Sequence, residues 1–288
     1  MNRRLYSPSY IREILDKYGF EFSKALGQNF LIDGNILKNI SKAGEITKED
    51  LILEIGPGIG TLTEELALNA KKVVAVELDK NLLPILGETL KAYDNIEVVH
   101  GDILKLDLKE LIDNKLEGGP IKVVANLPYY ITTPIIGKLL EEDFNIHSII
   151  IMVQKEVADR IVATPNSKEY GALSLFINFY SHPQIILKVP KTVFMPQPRV
   201  DSAVVKLNIK DELPDVDRDL FFKVVKSAFN KRRKTLLNSL SSGKLGLEKE
   251  IIKNVLKEAD IPFNIRAENL NIEDFIKISK ILSPLDIY

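Results

Sequence analysis

The chain has 288 residues, is 45% hydrophobic and carries a formal net charge of −1, so it can bury a large core and a smaller second one. It contains no cysteine, which excludes disulfides, thiolate metal centres and a cysteine nucleophile. Near-neutrality also excludes long-range attraction of a polyanion by overall charge, leaving only local basic patches for that purpose.

The N-terminus, Met1 to Pro8, lacks the apolar stretch of a signal peptide, and the longest apolar run, Ile149 to Val153, is too short for a bilayer, which predicts a cytoplasmic protein. Ser7-Pro8, followed by Ile11, Ile14, Leu15 and Tyr18 and then Gly19, reads as a capped amphipathic helix covering the core. Leu51–Ile55, Val73–Glu77, Ile96–His100, Ile121–Asn126 and Ile149–Val153 are short, β-branched-rich runs separated by helical stretches. Continuous apolar strands alternating with helices predict an α/β fold with a parallel sheet covered on both faces, which binds ligands at the carboxyl ends of its strands. Leu173, Phe176, Ile177 and Tyr180 recur at helical spacing, and Ile185–Val189 and Ala203–Ile209 read as two late strands, completing a Rossmann-like seven-stranded sheet. The acidic, proline-containing segment Asp211 to Asp217 has little to bury and marks a boundary between a domain of residues 1–210 and one of residues 211–288. The second domain reads as all helical, over Leu220–Leu240, Glu248–Ala259 and Ile272–Leu282.

Chemistry concentrates at the strand ends. Leu53 to Thr61 leaves the first predicted strand with Gly56, Gly58 and Gly60, which let backbone approach a ligand closely. A dinucleotide fingerprint has its third glycine one place later, where Thr61 stands, and no Gly-Lys-Ser/Thr follows, so Glu54 with Gly-Pro-Gly instead resembles the nucleoside loop of S-adenosylmethionine enzymes. A glycine turn without a ligand is the alternative. Glu77 ends the next strand about twenty residues on, where a carboxylate can accept bonds from both ribose hydroxyls. Asp102 follows the third strand, placed either to accept from an adenine amine or to cap a helix, as Asp79 also can. Asn126-Leu127-Pro128-Tyr129 sets an amide, a proline carbonyl read as an unencumbered acceptor, and an aromatic ring just past a buried strand. Such a group grips a planar base by its exocyclic amine, although the four residues alone also fit an ordinary strand-to-helix loop.

Gln28-Asn29-Phe30-Leu31, Glu54 to Gly60, Glu77, Asp102, Asn126 to Tyr129 and Phe194-Met-Pro-Gln-Pro-Arg-Val-Asp-Ser202 together resemble the small-subunit ribosomal RNA adenine dimethyltransferases, the KsgA family, from about Lys24 to the C-terminal helices. The resemblance implies that S-adenosylmethionine donates methyl groups to two adjacent adenosines near the 3′ end of small-subunit rRNA, within an assembling particle. Asn29, Leu31, Gly56, Glu77, Asp102 and Asn126 match cofactor-contacting positions by resemblance, and Gln28, Glu54, Gly58 and Ile103 complete the expected donor site. Two alternatives share the motifs: a macrolide-resistance methyltransferase acting on large-subunit rRNA, and a non-catalytic ribosome assembly or transcription factor. Leu127, the Thr132-Thr-Pro134 stretch and the helical extension favour the first reading.

The absence of cysteine excludes the covalent route used to methylate pyrimidine ring carbons, and the attacking atom is expected to belong to the substrate. Asn126 Oδ1 and the carbonyl of Pro128, or that of Leu127, are the expected acceptors for the adenine amine, with Tyr129 and Phe194 closing the two faces of the base. Three scattered histidines and no acidic loop predict no metal. Between Lys223 and Lys234 lie six basic residues and no acid: Lys223, Lys226, Lys231, Arg232, Arg233 and Lys234. On a helix Lys223, Lys226, Lys234 and one or two of Lys231, Arg232 and Arg233 would share an exposed face able to neutralise phosphates, or form only a solvated surface. Arg3, Arg4, Arg12 and Lys24 offer a second basic region, and the lack of a coiled-coil seam predicts a monomer.

Overall fold

The computed structural model describes residues 4–285 apart from 24–25, 129–130, 143, 232 and 244. Tyr129, Arg232, Arg3 and Lys24, named above, lie outside the described residues. Among those described, no helix is long and apolar enough to cross a membrane.

Nine strands form two sheets: β1 (Phe30–Leu31), β2 (Leu51–Ile55), β3 (Lys72–Glu77), β4 (Ile96–His100), β5 (Ile121–Asn126), β6 (Ile146–Gln154), β7 (Ser181–Val189), β8 (Phe194–Met195) and β9 (Ser202–Ile209). Seven of them make one sheet in the order β4-β3-β2-β5-β6-β9-β7, and β1 with β8 makes a separate two-stranded ladder. Every strand expected from sequence is present in the large sheet. The short ladder was not foreseen.

Chain order explains where a ligand can go. From β2 the chain steps outward to β3 and β4, then returns to β5 on the other side of β2, all in parallel register. The β2/β5 boundary is thus the switch point, where the connections diverge and leave a crevice above the carboxyl ends. β2 is buried along its whole length, and Ile52, Leu53, Val73, Val74 and Val123 are fully excluded from solvent, as strands covered on both faces require. Lys122 and Lys206 interrupt two of these apolar strands. Lys122 Nζ donates to Asp50 Oδ2 at 2.9 Å and to the Glu45 carbonyl at 2.6 Å, and Lys206 pairs with Glu45, so neither ammonium is left uncompensated.

The chain divides into two compact units, one of residues 1–158 with 184–209 and one of 159–183 with 210–288. The segment 159–183, read from sequence as part of the first domain, groups with the C-terminal helices for a physical reason. Phe179 stacks on Phe221 at 4.8 Å and on Phe222 at 5.1 Å, and the Tyr170 hydroxyl donates to the Leu270 carbonyl at 2.9 Å. These aromatics are too bulky and too close together to be satisfied without each other.

The helix expected over Leu220–Leu240 is two helices, Arg218–Ala228 and Leu236–Ser241. Asp217 caps the first, accepting the Leu220 N–H at 2.9 Å, and Phe229 N–H closes it onto the Val225 carbonyl; Thr235 caps the second. Lys223 and Lys226 therefore sit on a helix, whereas Lys231, Arg233 and Lys234 project from the connecting turn, not from one helical face. Arg4 is engaged by Glu64 at 3.8 Å and Glu65 at 3.6 Å, which removes it from the second basic region.

Ile52, at the centre of β2 and fully buried, tests the core: Ile52→Ala is expected to cost about 2–5 kcal/mol in chemical denaturation, through lost burial and the cavity it leaves.

Candidate active site

Four neighbouring strands each deliver one group to the same crevice: β2 the glycine loop, β3 Glu77, β4 Asp102 and β5 Asn126. These line a cleft of about 1090 Å3, its open mouth included, with the segment Leu26–Leu31 and Phe194 on the remaining sides. Every described residue of the expected donor and base sites lies on this cleft: Gln28, Asn29 and Leu31; Glu54, Gly56 and Gly58; Glu77, Asp102 and Ile103; and Asn126, Leu127, Pro128 and Phe194.

The glycine loop is fixed from behind. Glu77 Oε2 accepts the Gly58 N–H at 3.2 Å and Oε1 accepts the Asp79 N–H at 2.7 Å, so the carboxylate bridges the ends of β2 and β3. Burial pushes the Glu77 carboxyl above its ordinary range, opposed by the N–H donors of Asp79, Gly58 and Leu78. Asp79 has two roles: its Oδ1 accepts the Asn81 N–H at 3.0 Å in the turn leading to the helix Leu83–Thr89, whose N-cap is Leu82, and its Oδ2 accepts the Gln28 amide at 2.8 Å, while Gln28 Oε1 accepts the Ser23 N–H at 2.8 Å. Gln28 thus ties the N-terminal segment to the end of β3.

Two observations test whether an adenosyl methyl donor fits. Gly56 has φ +71°, and a Cβ there would meet nothing within 4 Å, so the glycine keeps open a space that a side chain would occupy. Glu54 Oε2, on the cleft wall, is buried without a hydrogen-bond partner among the described residues. Burial pushes the Glu54 carboxyl up to about 8, the Thr63 hydroxyl opposing and Glu77 adding to it. A glycine cradle beside a buried carboxyl suits a ligand bearing both a sugar and a positive charge. Asp102 caps no helix: its Oδ1 accepts the Leu104 N–H at 3.0 Å in a tight turn, and Asp107 caps the next helix instead. Its Oδ2 faces only the solvent-exposed Lys105 ammonium at 3.5 Å.

At the end of β5, Asn126 Nδ2 donates to the Asn29 carbonyl at 3.2 Å. The bond orients the amide and leaves Oδ1 as an acceptor. Pro128 departs from the expectation: its carbonyl is not unencumbered, since it accepts the Ile131 N–H and the Thr132 hydroxyl, both at 3.2 Å. No described donor reaches the Leu127 carbonyl. Phe194 is 4% exposed and belongs to a core cluster while also lining the cleft, so it serves packing and site together. Its position follows from the ladder in which Leu31 pairs with Phe194 and Phe30 with Met195.

Leu78 was missed from sequence. It lines the cleft and is 43% exposed, an apolar side chain at a strand end between two acids. That contrast, a leucine with no core to enter, was the available signal. Ile131 and Ile135 also line the cleft without having been foreseen.

The profile of the ribosomal RNA adenine dimethylase family matches residues 19–283. The ribosomal RNA small subunit methyltransferase A of Alkaliphilus oremlandii (strain OhILAs) is 55% identical over 275 residues, 94% of this chain and 96% of that protein. Among solved structures, a dimethyladenosine transferase from Plasmodium falciparum superposes with a TM-score of 0.75 at 28% identity, covering 90% of this chain and 98% of its own. The 23S rRNA methyltransferase ErmE superposes with a TM-score of 0.67 at 26% identity, covering 88% and 99%.

A carboxyl whose folded pKa lies above its unfolded one stabilises the fold below the unfolded value and loses that contribution as pH rises through the folded value. Thermal stability without ligand is therefore expected to fall between about pH 4.5 and 8, with Glu54→Gln removing part of the fall. Melting profiles of the two proteins with identical pH slopes would place the buried proton elsewhere.

Proposed function

The chain belongs to the ribosomal RNA adenine dimethylase family, and from that premise we propose that it transfers methyl groups from S-adenosylmethionine to the exocyclic amines of two adjacent adenosines near the 3′ end of small-subunit rRNA, giving dimethyladenosines. The observation that carries the reading is the Asn126 amide, anchored through Nδ2 with Oδ1 left to accept, at a strand end beside a cleft suited to an adenosyl donor. The 55% identity to a small-subunit enzyme, against 26% to the 23S enzyme, favours the small-subunit substrate. Retention of the acceptor pair argues against a purely structural factor.

Gly56, Gly58, Glu77, Asp102, Ile103 and the Gln28–Leu31 segment hold the donor, with Glu77 at the ribose, Asp102 at the adenine amine and Glu54 toward its positive charge. Bound S-adenosylmethionine supplies a methyl group on a positively charged sulfur. The target amine is a poor nucleophile because its lone pair is delocalised into the purine ring. Asn126 Oδ1 takes one amine hydrogen. Of the two carbonyls considered for the other, Leu127 is preferred, because Pro128 already carries two donors. Accepting both hydrogens draws the nitrogen toward tetrahedral geometry and aims its lone pair into the cleft. Phe194 flanks the base on one side, and Tyr129 is assigned the other. Entry requires a base splayed from its stack, which a loop or single strand permits more readily than a duplex.

The enzyme acts in the cytoplasm as a monomer on an assembling small-subunit particle, residues 1–210 carrying transfer and residues 211–288 gripping RNA. Lys223 and Lys226 on their helix, with Lys231, Arg233 and Lys234 exposed on the following turn, are the phosphate contacts proposed, together with Arg232.

Asn126→Ala is expected to lower methyl transfer about 10²–10³-fold while donor affinity changes little, as for loss of an oriented acceptor. Mass spectrometry of nucleosides from small-subunit rRNA incubated with each protein reads this directly, and undiminished dimethyladenosine would reject the acceptor role. Neutralising Lys231, Arg233 and Lys234 together is expected to flatten the salt dependence of RNA binding, by about 0.7 in log–log slope per lost phosphate contact on single-stranded RNA. A filter-binding series across salt measures it; an unchanged slope would move the RNA contact elsewhere.

A further inference from the structure

We propose that Lys138 is a positioning residue that fixes the adenine end of the donor site and ties it to the base pocket; this rests on the reading of the cleft as an S-adenosylmethionine site. Helix Thr132–Glu141 leaves the Asn126–Pro128 loop almost directly, with the Thr132 hydroxyl bonded to the Pro128 carbonyl at 3.2 Å. Ile131 and Ile135 face the cleft from its first turn. One turn beyond Ile135, Lys138 reaches the segment after β4: its Nζ donates to the Leu106 carbonyl at 2.8 Å and to the Leu104 carbonyl at 3.2 Å. The side chain is only 14% exposed, and Glu142 Oε1 lies 3.9 Å from the same nitrogen.

The segment that Lys138 grips is the one that places Asp102 and Ile103 in the cleft wall. Its near end is held by local bonds, the Gly101 N–H to the Glu77 carbonyl at 2.9 Å and the Leu104 N–H to Asp102 Oδ1 at 3.0 Å. The Asp102 carbonyl accepts the Lys105 and Leu106 N–H groups, which curls the chain so that the carbonyls of Leu104 and Leu106 converge. Two converging carbonyls repel unless a donor stands between them. An ammonium with three N–H groups meets both at once and still has one directed toward Glu142. Lys138 thereby closes the far end of the turn whose near end orients Asp102, and Asp102 Oδ2, which faces the solvent-exposed Lys105 ammonium, is the group that distinguishes an amine from a carbonyl on a purine. A neutral side chain at 138 would leave the turn closed at one end only. The carboxylate would then wander, and selectivity for the 6-amino group would fall with it, while the ribose contact at Glu77 would stay in place.

The test is calorimetric titration of the intact chain with S-adenosylhomocysteine and with its 6-oxo analogue, S-inosylhomocysteine. For Lys138→Met, the adenosyl ligand is expected to weaken about tenfold and the inosyl ligand by less than about twofold, the scale of one charge-assisted hydrogen bond. Lys138→Arg, which keeps the charge, is expected to restore part of the preference, and should the Met variant not fold, the Arg variant against the parent carries the same comparison. Equal weakening of both ligands, unchanged affinity for both, or a parent that does not prefer the adenosyl ligand would overturn the proposal. A parent that binds neither ligand would instead fail the donor-site reading itself, so the two failures are distinct.

Discussion

The Glu77 carboxylate is the interaction on which the site depends. It stands at the end of β3 and accepts one N–H from the glycine loop after β2 and one from Asp79, two residues beyond its own strand. The loop bends through positive φ at Gly56 and Gly58; the Gly56 N–H still reaches the Val76 carbonyl at 3.0 Å, whereas the Gly58 N–H is met by the buried Glu77 carboxylate. Through Asp79 the same network reaches Gln28 and then Ser23, so that the segment over the donor cleft is hung from the strand ends below it. Oε2 accepts the Gly58 N–H and Oε1 the Asp79 N–H, and the ribose of the proposed donor would share the same carboxylate. A group that shapes the loop and also addresses the ligand cannot be replaced by one that does either alone.

Much of this was legible because strand ends are where composition changes abruptly. The runs from Leu51, Val73, Ile96 and Ile121 are mostly apolar and β-branched, and Gly56, Glu77, Asp102 and Asn126 stand at or just beyond their carboxyl ends, where the pattern stops. The β1/β8 ladder was illegible for the opposite reason: two residues carry no periodicity, and their partners lie more than a hundred positions away along the chain, Phe30 with Met195 and Leu31 with Phe194. The occupied Pro128 carbonyl depends on how the next helix begins, at Thr132, which no motif specifies. The break between Ala228 and Leu236 was hidden because Lys231 to Lys234 are good helix formers, and caps at Asp217 and Thr235 prevailed over propensity. Leu173 to Tyr180 read locally as one more helix, and only contacts such as those of Phe179 and Tyr170 assign residues 159–183 to the second unit.

Charge follows the same division between local and global. The net charge of −1 describes no part of the surface that matters. Arg4 is held by Glu64 and Glu65, Lys122 by Asp50, and Lys206 by Glu45, so these cations serve the fold. Lys226, Lys231, Arg233 and Lys234 stand exposed within a stretch that holds no acid. A polyanion would therefore meet a concentrated field on the second unit although the chain as a whole is nearly neutral.

The two-residue ladder has a consequence for how the partners arrive. Leu31 and Phe194 face each other in register across the ladder, one beside the proposed donor segment and the other beside the proposed base site, and the Asn29 carbonyl also anchors the Asn126 amide. Neither compartment has a wall of its own. Filling one stiffens a partition common to both, so the entropy of ordering that partition is spent once for two guests, and the second to arrive meets a pocket already set. With the sites filled as proposed, methyl donor and nucleic acid would bind cooperatively through a pairing of four residues.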